Sequence, residues 1–195
     1  MQKKYIDIAY VKAKRLEKLI EDLFGFTKMN YGRISMNVGK VDIVKLLGQL
    51  LEEFYPSFMD KDLTYELKSN VPSQIITADG NLLARLFDNL INNAIKYTPP
   101  GTEIDVTWER RGSWIQVSVS DTGPGVPEQA KPHIFDMFYS ASDPVADSRR
   151  SMGLGLALCK SIVNAHGGEI AVSDRSPHGA IFTFSVPTGE VELHE

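Results

Sequence analysis

The chain has 195 residues, a hydrophobic fraction of 43% and a formal charge of -4, enough apolar content to bury a core over one or two domains. Its apolar runs break within a few residues and its start, MQKKYIDIAYVKAKR, lacks a signal-peptide apolar block, so the expected compartment is the cytosol. The acidic balance argues against nonspecific nucleic-acid binding, and a lone cysteine, Cys159, excludes an internal disulfide or a thiolate-rich zinc cluster and is expected as a buried helix thiol.

From residue 3 to 29 the apolar side chains Ala9, Leu16, Leu19, Ile20, Leu23 and Phe26 fall at helical spacing, which predicts one long helix with a single apolar stripe. Lys3, Lys4, Lys12, Lys14, Arg15 and Lys18 read as its solvated face. Such a helix must bury its stripe against the following domain or a second copy, and a homodimer through this helix is the expectation. The polar, glycine-containing stretch NYGRISMNVGK then leads into a second compositional unit, dividing the chain into residues 1–32 and 33–195. In that unit the pattern predicts a strand at 41–43, a helix over 44–59, strands at 63–67 and 74–77, and a helix over 81–96 stopped by Pro99-Pro100-Gly101. Strands at 103–109 and 114–120 flank the hairpin signal Arg110-Arg111-Gly112-Ser113. A helix over 154–165 and a hairpin of 169–172 with 180–186 complete an α+β sandwich. The polar segment 140–152, SASDPVADSRRSM, reads as a mobile lid.

Three stretches carry chemistry. In NLINNAIKY, Asn89, Asn93 and Lys96 share one helix face with Tyr97 beside them, while Leu86, Leu90, Ile91 and Ala94 supply the apolar side. Asparagine is a poor helix-interior residue, so Asn89, Asn92 and Asn93 either face solvent or serve a ligand. On the second reading Asn93 offers a neutral carbonyl oxygen to Mg²⁺, a hard cation, and Lys96 offers a point charge to phosphate. Asp121 ends a strand and opens the turn Thr122-Gly123-Pro124-Gly125. A carboxylate there accepts a hydrogen bond from the adenine amino group, and the glycines let backbone approach the ring. The same Asp-Thr-Gly occurs in aspartic proteases, which need a second one; this chain has none. Gly153-Leu154-Gly155-Leu156 opens a helix whose free amides and dipole suit a triphosphate. Phe135 and Phe138 in HIFDMFY read as lid anchors or core aromatics. Arg149 and Arg150 either steady phosphate oxygens or are solvated. His133, His166, His178 and His194 are read as structural or solvated, since none sits on an exposed helix face followed by an acidic residue.

Taken together, the chain resembles the bacterial sensor histidine kinases. NLINNAIKYTP looks like their asparagine box, DTGPGVP their first glycine box, HIFDMFY their phenylalanine box and GLGLALCKSIVNAHGG their second glycine box. The resemblance implies the Bergerat ATP-binding fold, a two-layer sandwich with helices on one face of a mixed sheet and a movable lid. It implies Mg-ATP held by Asn89, Asn93, Lys96, Tyr97, Asp121, Gly123, Gly125, Gly153 and Gly155, with Phe138, Arg149, Arg150 and Leu154 alongside and Asn93 on the metal. Residues 3–29 look like the second half of the dimerisation and histidine-phosphotransfer hairpin, two of which make a four-helix bundle. The first hairpin helix, with its phosphorylatable histidine, is expected before residue 1, as are sensor and membrane regions. The chain therefore reads as an excised kinase core that needs an acceptor histidine from another polypeptide and a response regulator as downstream partner.

Two alternatives differ in chemistry. ATPases of the same fold group, such as the gyrase B subunit, MutL and the heat-shock chaperones, place a glutamate one helical turn before the metal asparagine to activate water. Here that position is Asn89, and a neutral amide is no general base, so hydrolysis is expected to be slow. A nucleotide-dependent interaction module akin to the anti-sigma-factor kinases is the other; the long N-terminal helix argues against that compact form.

Overall fold

Residues 5–14, 16, 17, 20, 36–139 and 153–189 are described by a computed structural model. Residues 5–14 form helix α1, on which Tyr5, Ile6, Ile8, Tyr10 and Val11 are exposed. Leu16 and Ile20 of the predicted stripe are helical and exposed too, whereas Leu19, Leu23 and Phe26 lie outside the described residues. So do the whole predicted lid, 140–152, with Arg149 and Arg150, and His194. Among the described residues no helix is long and apolar enough to cross a membrane.

The second unit begins with β1 (Gly39–Asp42), which pairs antiparallel with β3 (Ile75–Ala78). The strand at 41–43 was expected one residue longer, but Asp42 accepts the Lys45 amide as an N-cap, so Ile43 already belongs to helix α2 (Ile43–Glu53). The single helix predicted over 44–59 is in fact two. Phe54 ends α2, and α3 (Tyr55–Asp60) restarts with Pro56 in its first turn, where a missing amide hydrogen costs nothing and a continued helix would lose a bond. Helix α4 (Gly80–Tyr97) is capped by Asp79, whose Oδ1 accepts the Asn81 and Leu82 amides at 3.0 and 3.1 Å. It ends at Thr98, before the two prolines, as the sequence predicts.

The main sheet has the order β2-β4-β5-β7-β6, built from β2 (Thr64–Ser69), β4 (Glu103–Arg111), β5 (Trp114–Ser120), β6 (Ile170–Asp174) and β7 (Ala180–Pro187). It is mixed: β2 runs parallel to β4, and the other neighbours are antiparallel. Period-two burial places Ile104, Val106 and Trp108 of β4, Ile115, Val117 and Val119 of β5, and Phe182, Phe184 and Val186 of β7 on one face. Against that face lie the apolar sides of α4 and of α5 (Gly155–Ala165), including Leu86, Leu90, Leu158 and Ile162. The opposite face of these strands carries Asp105, Thr107, Gln116, Ser118 and Thr183, so the domain is an α+β sandwich with its helices on one side. Cys159 is fully buried on α5, as its neighbours predict.

Candidate nucleotide site

Helices α4 and α5 lie antiparallel in one register. The Asp79 amide donates to His166 Nε2 at 3.1 Å, Cys159 Sγ donates to the Leu86 carbonyl at 3.8 Å, and Asn89 Oδ1 lies 3.2 Å from where a Cβ on Gly155 would stand. The asparagine helix and the glycine opening of α5 therefore meet at Asn89, and Gly155 is the residue that lets them meet. Asn89 and Asn92 both turn their amide nitrogens onto the carbonyls four residues back, Arg85 and Asp88. The half-buried Asn93 makes no hydrogen bond among the described residues, leaving its carboxamide available to a ligand. Lys96 is exposed, donates to Tyr97 Oη at 3.1 Å, and has Nζ 4.7 Å from the Tyr97 ring centre.

The Asp-Thr-Gly turn closes on the far end of the same helix. Asp121 is 5% exposed and its Oδ1 accepts the Gly123 amide at 2.8 Å. Burial pushes its carboxyl above the ordinary carboxylate range, against the pull of the Gly123 and Ala180 amides and of Arg175. Gly125 adopts φ +74, as the backbone of a tight turn requires. Behind the turn, a Cβ on Gly179 (φ +118) would stand 1.9 Å from the Asp121 carbonyl oxygen. Sequence reading missed Gly179; its place in the short run SPHGA between two strand patterns was the available signal.

The phenylalanine stretch closes the third side. The Phe138 amide donates to the Gly153 carbonyl at 3.2 Å, and a Cβ on Gly153 (φ +66) would collide with the Tyr139 carbonyl at 2.4 Å. Phe135 packs edge-on against Phe182 at 6.4 Å and belongs to the core, whereas Phe138 is 62% exposed with φ 61, so the two phenylalanines have different jobs. Leu154 is buried at the start of α5. The structure thus brings Asn89 to Gly155, Tyr97 to Gly123, and Phe138 to Gly153. His133 and His178 are exposed and His166 is fully buried; none of these three stands free on a helix face. Elsewhere, Glu66, Glu103 and Asp105 cluster at the β2–β4 edge, but Glu66 is already paired with Lys68 at 2.7 Å and Asp105 with Arg175 at 2.6 Å.

The model of the Histidine kinase-, DNA gyrase B-, and HSP90-like ATPase family matches residues 78–190. The chain belongs to this family. Within it, the domain is of the sensor histidine kinase kind. It is 35% identical over 184 residues to the sensor protein KdpD of Clostridium acetobutylicum, covering 91% of this chain and 20% of that protein. Full-length ShkA in complex with AMPPNP superposes with a TM-score of 0.84 at 29% identity, over 95% of this chain and 38% of that one. Histidine kinase ThkA in complex with response regulator protein TrrA gives a TM-score of 0.77 at 25% identity, over 96% and 52%. The chain spans 20% to 51% of the length of the first curated relatives it matches. Its place in the family makes this an ATP-binding catalytic domain of the histidine kinase kind, and in it the neutral Asn89 faces Gly155.

Proposed function

We propose that this domain binds Mg-ATP and presents its terminal phosphate to a histidine carried outside residues 1–195, in two-component signalling. The observation that carries the reading is the meeting of Asn89 with Gly155 and of Asp121 and Gly123 with Tyr97, which turns three separated sequence boxes into one site. Asp121 accepts from the adenine amino group, and Gly123 and Gly125 keep side chains off the ring. The start of α5, Gly153-Leu154-Gly155, offers its amides to the phosphates, joined by Asn89 and by Lys96 once it leaves the Tyr97 ring. Phe138, beside Gly153, borders the phosphate end, and Arg149 and Arg150 are assigned by charge to the phosphate oxygens. Asn93 fits a hard cation, since a neutral, unengaged carboxamide oxygen on the face shared with Lys96 is the ligand Mg²⁺ takes while keeping most of its waters. Bound there, Mg²⁺ supplies charge neutralisation at the phosphates.

The step is displacement at phosphorus: an imidazole nitrogen forms the new bond to the γ-phosphorus, the bond from that phosphorus to the β–γ bridging oxygen breaks, and ADP leaves. Asn89 is an amide and cannot serve as the general base that activates water, which favours transfer to imidazole over hydrolysis. The chain then divides between residues 32 and 33, with the N-terminal helix pairing to a second copy and a response regulator receiving the phosphoryl group. The exposed apolar residues of α1 support the pairing, and the complex of ThkA with response regulator protein TrrA supports the partner class. A cytoplasmic location, with any membrane anchor outside residues 1–195, belongs to the same reading. Titration of the chain with ATP and Mg²⁺ by calorimetry tests it: saturable binding with one site is expected, and an unchanged heat and melting temperature at saturating nucleotide would overturn it.

A further inference from the structure

His166 is fully buried at the C-terminal end of α5, eleven residues beyond Gly155. Its Nε2 must be an acceptor, because the Asp79 amide donates to it at 3.1 Å, so its proton sits on Nδ1 and is donated to the Ile162 carbonyl at 2.8 Å. Asp79, itself 6% exposed, is a joint between three chain segments. Its Oδ1 caps α4, its amide is held by the end of α5, and its Oδ2 accepts the Asn37 amide at 2.8 Å where the chain enters the unit.

Resting on the ATP reading above, we infer that His166 is a positioning residue: through Asp79 it fixes the register of α4 against α5, and it fastens that register to the entering chain at Asn37. Asn89 lies ten residues beyond Asp79, about 15 Å along the helix. An axial slip at the joint is therefore delivered to the contact of Asn89 with Gly155, where no side chain intervenes to absorb it. The Leu86–Cys159 contact lies between the two and keeps the same register. A movement of the entering segment acts on the same carboxylate that caps the asparagine helix, so the nucleotide site and the approach from the N-terminal side share one anchor.

Two substitutions separate the joint from mere packing. His166→Gln keeps an acceptor near the Nε2 position, whereas His166→Asn keeps a donor toward Ile162 but loses the acceptor for Asp79. ATP affinity of the full chain, measured by calorimetry at a temperature where circular dichroism shows every variant folded, is expected to fall roughly five- to tenfold in His166→Asn and to stay within about twofold of wild type in His166→Gln. Hydrogen exchange of the Asn37 amide, read without nucleotide, is expected to accelerate in His166→Asn and not in His166→Gln. That second readout stands even if the wild-type chain fails to bind ATP, and so distinguishes loss of the joint from loss of the functional reading. Equal exchange of Asn37 in both variants overturns the inference, as do equal affinities in both when the wild-type chain binds ATP.

Discussion

The carbonyl oxygen of Tyr97 lies 2.8 Å from where a Cβ on Gly123 would stand, as does Asp121 Oδ1. The end of α4 and the Asp-Thr-Gly turn therefore touch backbone to backbone, and the residue between them has no space for a side chain. Gly123→Ala forces one of the two apart. A stability loss of about 1–3 kcal/mol is expected, with a disproportionate loss of ATP affinity because one of the two displaced groups is the proposed adenine acceptor, Asp121. Thermal melts and calorimetry on the same samples check both parts.

Asp121 should show stability and function pulling in opposite directions. Burial raises its carboxyl above the ordinary value of 3.8, so its contribution to stability is fully present below that value and is lost as pH rises through the folded value. At neutral pH the buried carboxylate is a burden on the fold. Asp121→Asn removes the charge, and the melting temperature at pH 7 is expected to hold or rise. Adenine nucleotide affinity is expected to fall about ten- to a hundredfold, since one amide oxygen cannot serve both the Gly123 amide and the purine. A variant that melts lower yet binds normally would contradict both halves.

Asn93→Ala addresses the cation. Affinity for ATP with Mg²⁺ is expected to drop by about tenfold, and affinity for ATP with chelator to change little, because the carboxamide has no hydrogen bond to lose among the described residues. Calorimetric titrations with and without Mg²⁺ make the comparison. Equal loss in both would mean the residue supports the helix and not the metal.

Much of this was legible in the sequence because the signals were local. Period-two alternation gave β4, β5 and β7 nearly to the residue, and the paired prolines after α4 gave its end. The break at Phe54 was missed because the apolar periodicity runs on through Pro56, and a proline in a first turn looks the same in sequence as one interrupting a helix. The site glycines could be read where they sat in a run, as at 123, 125, 153 and 155. Gly179 could be read only as a turn residue in SPHGA, because its necessity comes from Asp121, a residue 58 positions away in sequence that packs against it only in the fold. His166 reads in sequence as structural or solvated and is fully buried in the fold, but its partner Asp79 carried no sequence mark beyond a helix cap.

Lys61 holds the other end of α4. Its ammonium donates to the carbonyls of Ile95 and Lys96 in the last helical turn, where unpaired carbonyls and the negative end of the dipole favour a cation. Lys61→Met is expected to cost about 1 kcal/mol in chemical denaturation and to loosen the turn bearing Lys96 and Tyr97. Lys61→Arg, which keeps the charge, is expected to recover most of that loss.

The buried histidine also gives the fold a defined acid limit. Burial holds His166 below its ordinary value of 6.5, although the Ile162 hydrogen bond and the Asp79 charge pull upward. Because the folded form resists the proton, the unfolded chain takes it first as pH falls through 6.5. The stability that the neutral ring contributes is thus present above 6.5 and is lost as pH falls from there toward the depressed folded value. The slope from this one group can reach about 1.4 kcal/mol per pH unit inside that window. Protonation would also turn Nε2 into a donor facing the Asp79 amide, so the group that loses its acceptor is the one joining α4 to α5. Urea denaturation of wild type and His166→Gln between pH 7.5 and about pH 5 is the measurement, with the difference between the two curves isolating this ring from the carboxylates. The wild-type curve is expected to fall more steeply below 6.5, and parallel curves would mean that the ring does not titrate between the two states.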